Sequence, residues 1–167
     1  TYITIMLGAT LGVFLFNFPV GRVFLGDGGA YLIGFFLAIL GLILIKNNSA
    51  VSPWFPLTVL VYPVTETLFS MFRKKIISGT PAMAPDKFHF HMLVHDRLIS
   101  RRHGRWPRNR NAMTSLIMWG IFVIGLLPGI LWWDNTPYLI SVVLIFFLLY
   151  VFSYIWLIRR VPSDTSS

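Results

Sequence analysis

The chain of 167 residues contains no cysteine, and only 12% of its residues are charged, six of them acidic. The lack of cysteine excludes a disulfide framework and a thiolate metal site. A soluble domain carries about twice this fraction of charged residues. Because 56% of the residues are hydrophobic and the mean hydropathy is +0.71, the composition is that of an integral membrane protein.

Apolar segments predict an all-α, polytopic bundle of about five transmembrane helices, since a helix needs about 20 mostly apolar residues to cross a bilayer. The first two segments are short for a span, and Pro56, Pro63 and Pro128 are expected to kink their helices. The sequence opens inside an apolar run, so residues 1–167 are expected to be the C-terminal part of one longer membrane domain. The predicted helices are Thr1–Phe16, Ala30–Ile45, Trp54–Phe72, Ala112–Trp133 and Tyr138–Ile158.

Basic residues are concentrated on one side of this predicted bundle. Of the 14 Lys and Arg residues, all but Lys46 fall in the loops 17–29 and 73–111 or in the C-terminal tail. The positive-inside rule makes that side cytoplasmic, with the C-terminus inside, and an aromatic belt around Trp132 and Tyr138 marks the other side. The net charge of +8 is therefore a topology signal that also suits anionic lipid headgroups. No nucleic-acid-binding motif accompanies it.

Asp27 is the first candidate functional residue, because it is a single carboxylate surrounded by Gly26, Gly28 and Gly29. Glycine lets the backbone approach a ligand closely. A carboxylate beside exposed amides at a helix start suits a hydrated Mg²⁺ that carries phosphates. The alternative is an ordinary helix N-cap before Ala30, but a plain cap does not need three glycines.

His89 and His91 form a second polar cluster on the predicted cytoplasmic side. In an extended segment they would face the same side, whereas on a helix they would diverge by about 200°. Imidazoles there could bind phosphate oxygens or move protons near neutral pH. The alternatives are interfacial histidines without a role, or a zinc site completed by His95 or His103.

Glu66 lies inside the third predicted helix, and an intramembrane acid is by default a functional candidate. Its alternatives are a structural pair with Arg73 or Lys74, or the lining of a polar cavity.

These motifs resemble those of the polyprenyl-phosphate N-acetylhexosamine-1-phosphate transferases of glycosyltransferase family 4, to which phospho-N-acetylmuramoyl-pentapeptide transferase is related. The resemblance covers about residues 1–112, and the last two helices are compatible but generic. It rests on Asn17 and Pro19 followed by Phe24-Leu-Gly-Asp27-Gly-Gly, on Glu66-Thr-Leu, and on Ala84-Pro-Asp-Lys-Phe-His89-Phe-His91.

The resemblance implies transfer of an N-acetylhexosamine-1-phosphate from a UDP-sugar to polyprenyl (undecaprenyl) phosphate, with release of UMP and a requirement for Mg²⁺. It places the active site on the cytoplasmic face of a bacterial inner membrane. Asn17 and Phe24 resemble contributors to the family's uracil pocket. The resemblance implies that Asp27, His89 and His91 are catalytic and that Asp27 is also the metal ligand. It implies that the substrates are bound by Asn17, Phe24, Gly28 and Lys87.

The chain also departs from the family pattern. Position 30 is Ala where the family often has Ser, and position 92 is Met where many relatives have a further histidine. The His-Phe-His form favours the branch that initiates surface polysaccharides such as O-antigen over the peptidoglycan branch. The family's paired-aspartate motif is absent, so the missing N-terminal half is an expected partner and the chain alone is expected to be inactive. A homodimer is left open.

Two other function classes compete with this interpretation. A transporter would also explain broken helices and Glu66, but it predicts polar residues at the bilayer midplane, whereas the polar groups here gather at the predicted cytoplasmic rim. A non-catalytic membrane segment leaves the glycine-rich Asp27 motif and the histidine pair unexplained.

The predicted topology can be tested directly, because the native chain has no cysteine to interfere. Single cysteines replacing Ser78 and Asn135 are expected to differ in labelling by a membrane-impermeant thiol reagent in intact cells. Ser78 lies in the basic loop 73–111 and should be protected, whereas Asn135 should be labelled. The reverse labelling pattern would contradict the predicted orientation.

Overall fold

The computed structural model describes residues 2–19, 22–23, 25–77, 88–99 and 110–159. Every regular element in these residues is helical, which confirms the predicted all-α class. The chain divides into two compact units, Thr1–Val51 and Ser52–Ser167. The elements are α1 (Tyr2–Asn17), α2 (Gly26–Asn47), α3 (Phe55–Val59), α4 (Val61–Phe72), a π-helical turn (Arg73–Ile77), α5 (Phe90–Val94), a second π-helical turn (His95–Ile99), α6 (Arg110–Leu131) and α7 (Thr136–Arg159).

Three of the described helices are long and apolar enough to cross a membrane, namely Gly26–Asn47, Asn111–Leu131 and Thr136–Arg159. The chain is therefore a membrane protein of helical build, as its composition predicts. α1 is apolar but has only 16 residues. The second predicted helix is longer than expected, since α2 has 22 residues. The total of five spans and their orientation stay predictions.

The start of α2 differs from the predicted start by four residues. The helix begins at Gly26, whose φ of 69° lies in the left-handed region that favours glycine. Asp27 and Gly28 therefore lie in the first helical turn and not in a loop that ends at residue 29. Glycine destabilises mainly helix interiors, and an acid in the first turn interacts favourably with the helix dipole. This glycine-rich sequence can therefore form the start of a helix.

The third predicted helix, Trp54–Phe72, is divided into α3 and α4 by a turn at Leu60. Pro63 explains why the helix is interrupted at this position. Pro63 has no N–H to donate to the carbonyl four residues earlier, at Val59, and its ring crowds that carbonyl. Leu60 takes a φ of −99° and a ψ of 19° there. Its N–H still donates to Pro56 O at 3.0 Å, and its carbonyl accepts from Val64 N at 3.1 Å. The chain therefore bends while most of its backbone stays paired.

The unit Ser52–Ser167 has a buried core where α4, α5 and α7 meet. α5 and the following π-helical turn are short elements that the apolar pattern did not predict. They supply about half of the core, and α7 supplies most of the rest. Its buried members are Val61, Phe90, Leu93, Val94, Ile99, Phe146, Tyr150, Tyr154 and Leu157.

α6 approaches the α3–α4 junction closely at Gly125. A Cβ built on Gly125 would overlap Val61 Cγ1 and would lie 3.4 Å from the carbonyl oxygen of Thr58. Val61 is buried and β-branched, so it has little room to move. A small residue at this crossing is what allows the two backbones to pack together.

We expect Gly125→Ala to destabilise the protein, because an extra methyl group in a packed contact typically costs about 1–3 kcal/mol. Gly120→Ala in the same helix is the matched control, since nothing lies within 4 Å of a Cβ built there. Alanine is favoured over glycine in helices by about 1 kcal/mol, so the control should keep or slightly raise the melting temperature in detergent. Equal melting temperatures for the two variants would contradict the close packing.

Candidate active site

The carboxylate of Glu66, on α4, is the centre of the main polar cluster in the unit Ser52–Ser167. Oε1 accepts a hydrogen bond from the backbone N–H of Phe90 at 3.1 Å and lies 3.0 Å from His89 Nδ1. Oε2 accepts from the hydroxyl of Tyr62 at 3.2 Å and from that of Tyr150 at 2.9 Å. The Glu66 side chain is only 13% exposed. Glu66 is therefore the hydrogen-bonded centre of a polar cluster, and the polar cavity that the sequence offered as an alternative stays a prediction.

The segment Phe88–Phe90, which carries His89, is held at both ends. The carbonyl of Phe88 accepts a hydrogen bond from the Tyr154 hydroxyl at 3.0 Å, and the N–H of Phe90 is bound by Glu66. The guanidinium carbon of Arg73 lies 5.7 Å from the centre of the Phe88 ring and 6.0 Å from that of Tyr154. These cation–π contacts place a buried positive charge beside the segment. Such a charge suits an anionic substrate.

His89 and His91 lie at the start of α5, and the structure brings them together. His89 is the N-cap residue, with an extended backbone at φ −65° and ψ 147°, and His91 lies in the first turn. The carbonyl of His89 accepts from the N–H groups of Met92 and Leu93. The two imidazole rings stack, with centroids 5.9 Å apart and planes inclined by 12°. The extended entry therefore allows the rings to meet although a helix begins between them.

His91 differs electrostatically from an ordinary histidine. Desolvation lowers the pKa of the His91 imidazole below its usual value of 6.5, the Glu66 carboxylate opposes this shift, and His89 reinforces it. Near pH 7 the His91 ring is therefore neutral, and one of its nitrogens can accept a proton or a hydrogen bond.

In the unit Thr1–Val51, Asn17 is the last residue of α1, while Asp27 and Gly28 lie in the first turn of α2. All three residues are exposed. Leu25 occupies the N-cap position without a side-chain cap bond, so Asp27 is not the N-cap that the alternative interpretation required. Among the described residues, no hydrogen bond or ion pair engages the Asp27 carboxylate. It is therefore available to a cation or a solvated ligand.

Two predicted substrate-binding residues, Phe24 and Lys87, lie outside the described residues, as does His103. The zinc interpretation gains no support from the rest of the chain. Within the described ranges, no group of three or more histidines and acids could hold a metal ion. His95 instead lies 2.9 Å from its neighbour Asp96.

Sequence analysis missed the tyrosines of this cluster. Tyr62, Tyr150 and Tyr154 are half of the six tyrosines in the chain. Tyr62 precedes Glu66 by four residues, and Tyr150 precedes Tyr154 by four, which is the spacing of neighbours on one helix face. Polar hydroxyls at this spacing within apolar helices were the signal that could have found them, since a buried Tyr usually needs a hydrogen-bond partner.

Comparison with known proteins agrees with the motif resemblance. Residues 1–45 match the family model described as glycosyl transferase family 4. Over this stretch the chain is similar to glycosyl transferase family 4. The matched residues contain α1 and the glycine-rich start of α2, including Asp27.

Curated proteins are similar to the chain over longer stretches. A probable undecaprenyl-phosphate N-acetylglucosaminyl 1-phosphate transferase of Bacillus subtilis is 34% identical over 88 residues, which are 52% of this chain and 24% of that protein. An undecaprenyl-phosphate alpha-N-acetylglucosaminyl 1-phosphate transferase of Thermotoga maritima is 28% identical over 96 residues, 58% of this chain and 30% of that protein. One of the same name from Haemophilus influenzae is 24% identical over 163 residues, 95% of this chain and 42% of that protein.

The chain thus spans between about a quarter and two fifths of the length of these curated relatives. No solved structure matches it.

The lowered pKa of His91 predicts the direction of a pH effect. Between that pKa and about 6.5, the unfolded chain binds the His91 proton and the folded protein does not. The folded state is therefore expected to lose stability as the pH falls through this window. Titration of ¹⁵N-histidine-labelled protein, with His91 assigned by the His91→Gln variant, should give a midpoint below 6.5. A midpoint above 6.5 would contradict the desolvation of the ring.

Proposed function

We propose that this chain carries part of an enzyme that transfers an N-acetylhexosamine-1-phosphate from a UDP-sugar to a polyprenyl phosphate. The observation that carries the proposal is the stacked pair of His89 and His91 beside the largely buried acid Glu66. The names of the relatives support the lipid phosphate acceptor and the sugar-1-phosphate donor. The motif resemblance adds the UDP group, a cytoplasmic site in a bacterial inner membrane and a role in initiating a surface or cell-wall glycan.

The proposed reaction is a phosphoryl transfer between two phosphate-bearing substrates. An oxygen of the polyprenyl phosphate attacks the β-phosphorus of the UDP-sugar and forms a new P–O bond. The bond between the β-phosphorus and the oxygen that bridges to the α-phosphorus breaks, and UMP leaves with that oxygen and its electron pair. Phosphoryl transfer needs mainly positioning and neutralisation of charge. Histidines and a bound cation can supply both the positioning and the neutralisation of charge.

The two histidines are suited to different tasks in this reaction. His91, whose pKa is lowered, is neutral near pH 7 and accepts hydrogen bonds or protons. His89 bonds Glu66 through Nδ1, so that in the charged ring Nε2–H can donate to a phosphate oxygen. Arg73, buried beside Phe88, adds a positive charge to the region where the phosphates would bind.

Mg²⁺ is the cofactor that the family resemblance implies, and Asp27 is the residue proposed to hold it. Its carboxylate is exposed and unengaged by the described residues, and a Cβ built on Gly26 or Gly28 would meet nothing within 4 Å. Mg²⁺ is commonly bound by one or two carboxylates together with substrate phosphates, so one carboxylate with open space around it fits this ion. When bound, the ion would neutralise charge on the transferring phosphates.

The remaining substrate contacts follow from the resemblance alone. Asn17 and Phe24 are proposed to bind the uracil, and Gly28 and Lys87 the phosphates. Asn17 and Gly28 are exposed, as residues that meet a nucleotide must be in the free protein.

The proposal predicts that Asp27→Asn removes nearly all turnover, because the substitution keeps the shape of the side chain and removes its charge. The assay measures UMP released by the full-length gene product from UDP-N-acetylglucosamine, with undecaprenyl phosphate and Mg²⁺. Asp134→Asn is the matched control, since it makes the same change in the exposed turn between α6 and α7. Membrane insertion should be unchanged in both variants. Turnover near the wild-type level in Asp27→Asn would show that Asp27 does not hold the metal.

A further inference from the structure

Glu66 has a hydrogen-bonding arrangement that a helix-packing residue would not need. Its two oxygens receive three donors that are unambiguous, namely the Phe90 N–H and the hydroxyls of Tyr62 and Tyr150. Both carboxylate oxygens thus act as acceptors, toward the backbone N–H and toward the two hydroxyls. The fourth partner, His89 Nδ1, lies 3.0 Å from the same oxygen that accepts the Phe90 N–H. This contact therefore requires the proton to be on Nδ1.

A proton fixed on Nδ1 decides what the other ring nitrogen can do. In a neutral imidazole only one nitrogen carries hydrogen, so Nε2 then presents a lone pair, and in the charged ring it presents an N–H. The hydrogen bond made by one ring nitrogen sets the tautomer of the whole side chain. The His89 side chain is 33% exposed, while that of Glu66 is 13% exposed. The acid is therefore the inner partner and the histidine the outer one, in reach of a substrate.

The surrounding contacts hold this pair rigidly. Tyr154 binds the carbonyl of Phe88 on one side of His89, and Glu66 binds the N–H of Phe90 on the other. Tyr150 and Tyr154 are almost fully buried. Their hydroxyls, which donate to Glu66 and to the carbonyl of Phe88, are therefore held at fixed positions on α7. The backbone around His89 and the orientation of its ring are thus set by the same few residues.

We propose that Glu66 is a positioning residue that holds His89 with its proton on Nδ1 and thereby makes Nε2 the nitrogen that meets the substrate phosphate, to which it donates an N–H when the ring is charged. The inference rests on the proposed function, because it assigns His89 to that reaction. Glu66 acts only through His89 and touches no substrate itself.

The first test observes the proton directly and needs no activity. The full-length protein, labelled with ¹⁵N-histidine, is studied by NMR at a pH where the ring is neutral, and His89 is identified by its loss in His89→Gln. The wild type is expected to show a protonated Nδ1 and an unprotonated Nε2. Glu66→Gln keeps an oxygen that can accept the Nδ1 proton, whereas Glu66→Leu has no acceptor and is expected to shift this signature toward the other tautomer. An unprotonated Nδ1 in the wild type, or an unchanged signature in Glu66→Leu, overturns the proposal.

The second test is a double-mutant cycle on turnover. His89→Ala is expected to lower kcat by about 10²-fold, and Glu66→Leu by about 10–100-fold, the range seen when a partner that orients a functional histidine is lost. Because Glu66 is proposed to act through His89, adding Glu66→Leu to His89→Ala should lower kcat by less than about 3-fold. Equal, independent losses in the two backgrounds would show a general structural role and overturn the proposal.

Two tyrosine variants serve as matched controls for Glu66→Leu. Tyr150→Phe removes one donor to Oε2 and leaves both contacts of Oε1 in place, so the NMR signature of His89 should be retained. Tyr138→Phe removes a hydroxyl at the far end of α7, where the ring contacts Trp132, and it should leave both signature and turnover unchanged. Loss of the His89 signature in Tyr138→Phe would mean that the signature reports general disturbance, which overturns the assignment.

Failure of this inference can be told from failure of the proposed function. A wild-type protein that shows the Nδ1 proton but releases no UMP contradicts the proposed function. A wild-type protein that releases UMP but lacks the Nδ1 proton contradicts the role of Glu66 alone.

Discussion

The arrangement of α4, α5 and α7 depends on one largely buried carboxylate, that of Glu66. An acid placed among apolar helices is costly unless its oxygens are bound by donors. Glu66 obtains these donors from three elements: Tyr62 on its own helix, Tyr150 on α7, and the start of α5 with its preceding residue. Moving any of them away leaves a charged oxygen under-bonded. The carboxylate thus fixes the distances between the helices more strictly than apolar contacts alone, which are not directional.

The aromatic core completes this constraint. Phe69 packs edge-on against Tyr150 and Tyr154, with ring centroids 5.4 and 4.7 Å away, and Phe90 lies 5.0 Å from Tyr150. The tyrosines therefore serve two purposes, since their rings fill the core and their hydroxyls bind polar groups. A Tyr side chain can serve both purposes because it is apolar along its body and polar at its tip. The polar cluster and the apolar core are consequently built from the same residues.

The long helices were predictable from the sequence because each of them depends on a property that is local to the chain. Continuous apolar composition predicted α6 and α7 with boundaries two residues or fewer from those observed, and Pro63 indicated the place where α3 and α4 divide. The start of α2 was predicted four residues too late, since glycines were read as a loop although a helix can begin with them. α5 was missed because five residues are too few to show a period.

The candidate site was only half predictable, for a related reason. His89, His91 and Glu66 could be singled out one by one, because ionisable groups near apolar segments are unusual. The hydrogen bonds that connect them to the tyrosines could not be predicted, because Tyr150 lies 84 residues from Glu66 in the sequence and no local pattern links the two residues. The family match, which covers residues 1–45, contains Asp27 but none of these residues. The chemistry of the Glu66 cluster is thus visible only in the folded chain.

A histidine supported by a largely buried acid is well matched to the proposed reaction, in which phosphates meet at a membrane surface. Water at such a site would compete for every hydrogen bond, and a flexible imidazole would pay an entropy cost for each contact it makes. Packing His89 between two bound backbone groups removes most of that freedom before substrate arrives. The negative charge of Glu66 would repel a phosphate if it were exposed, but it is covered by donors, and the cation Arg73 lies over the ring of Phe88. The cluster can therefore hold an acid inside and still present basic groups to an anionic substrate.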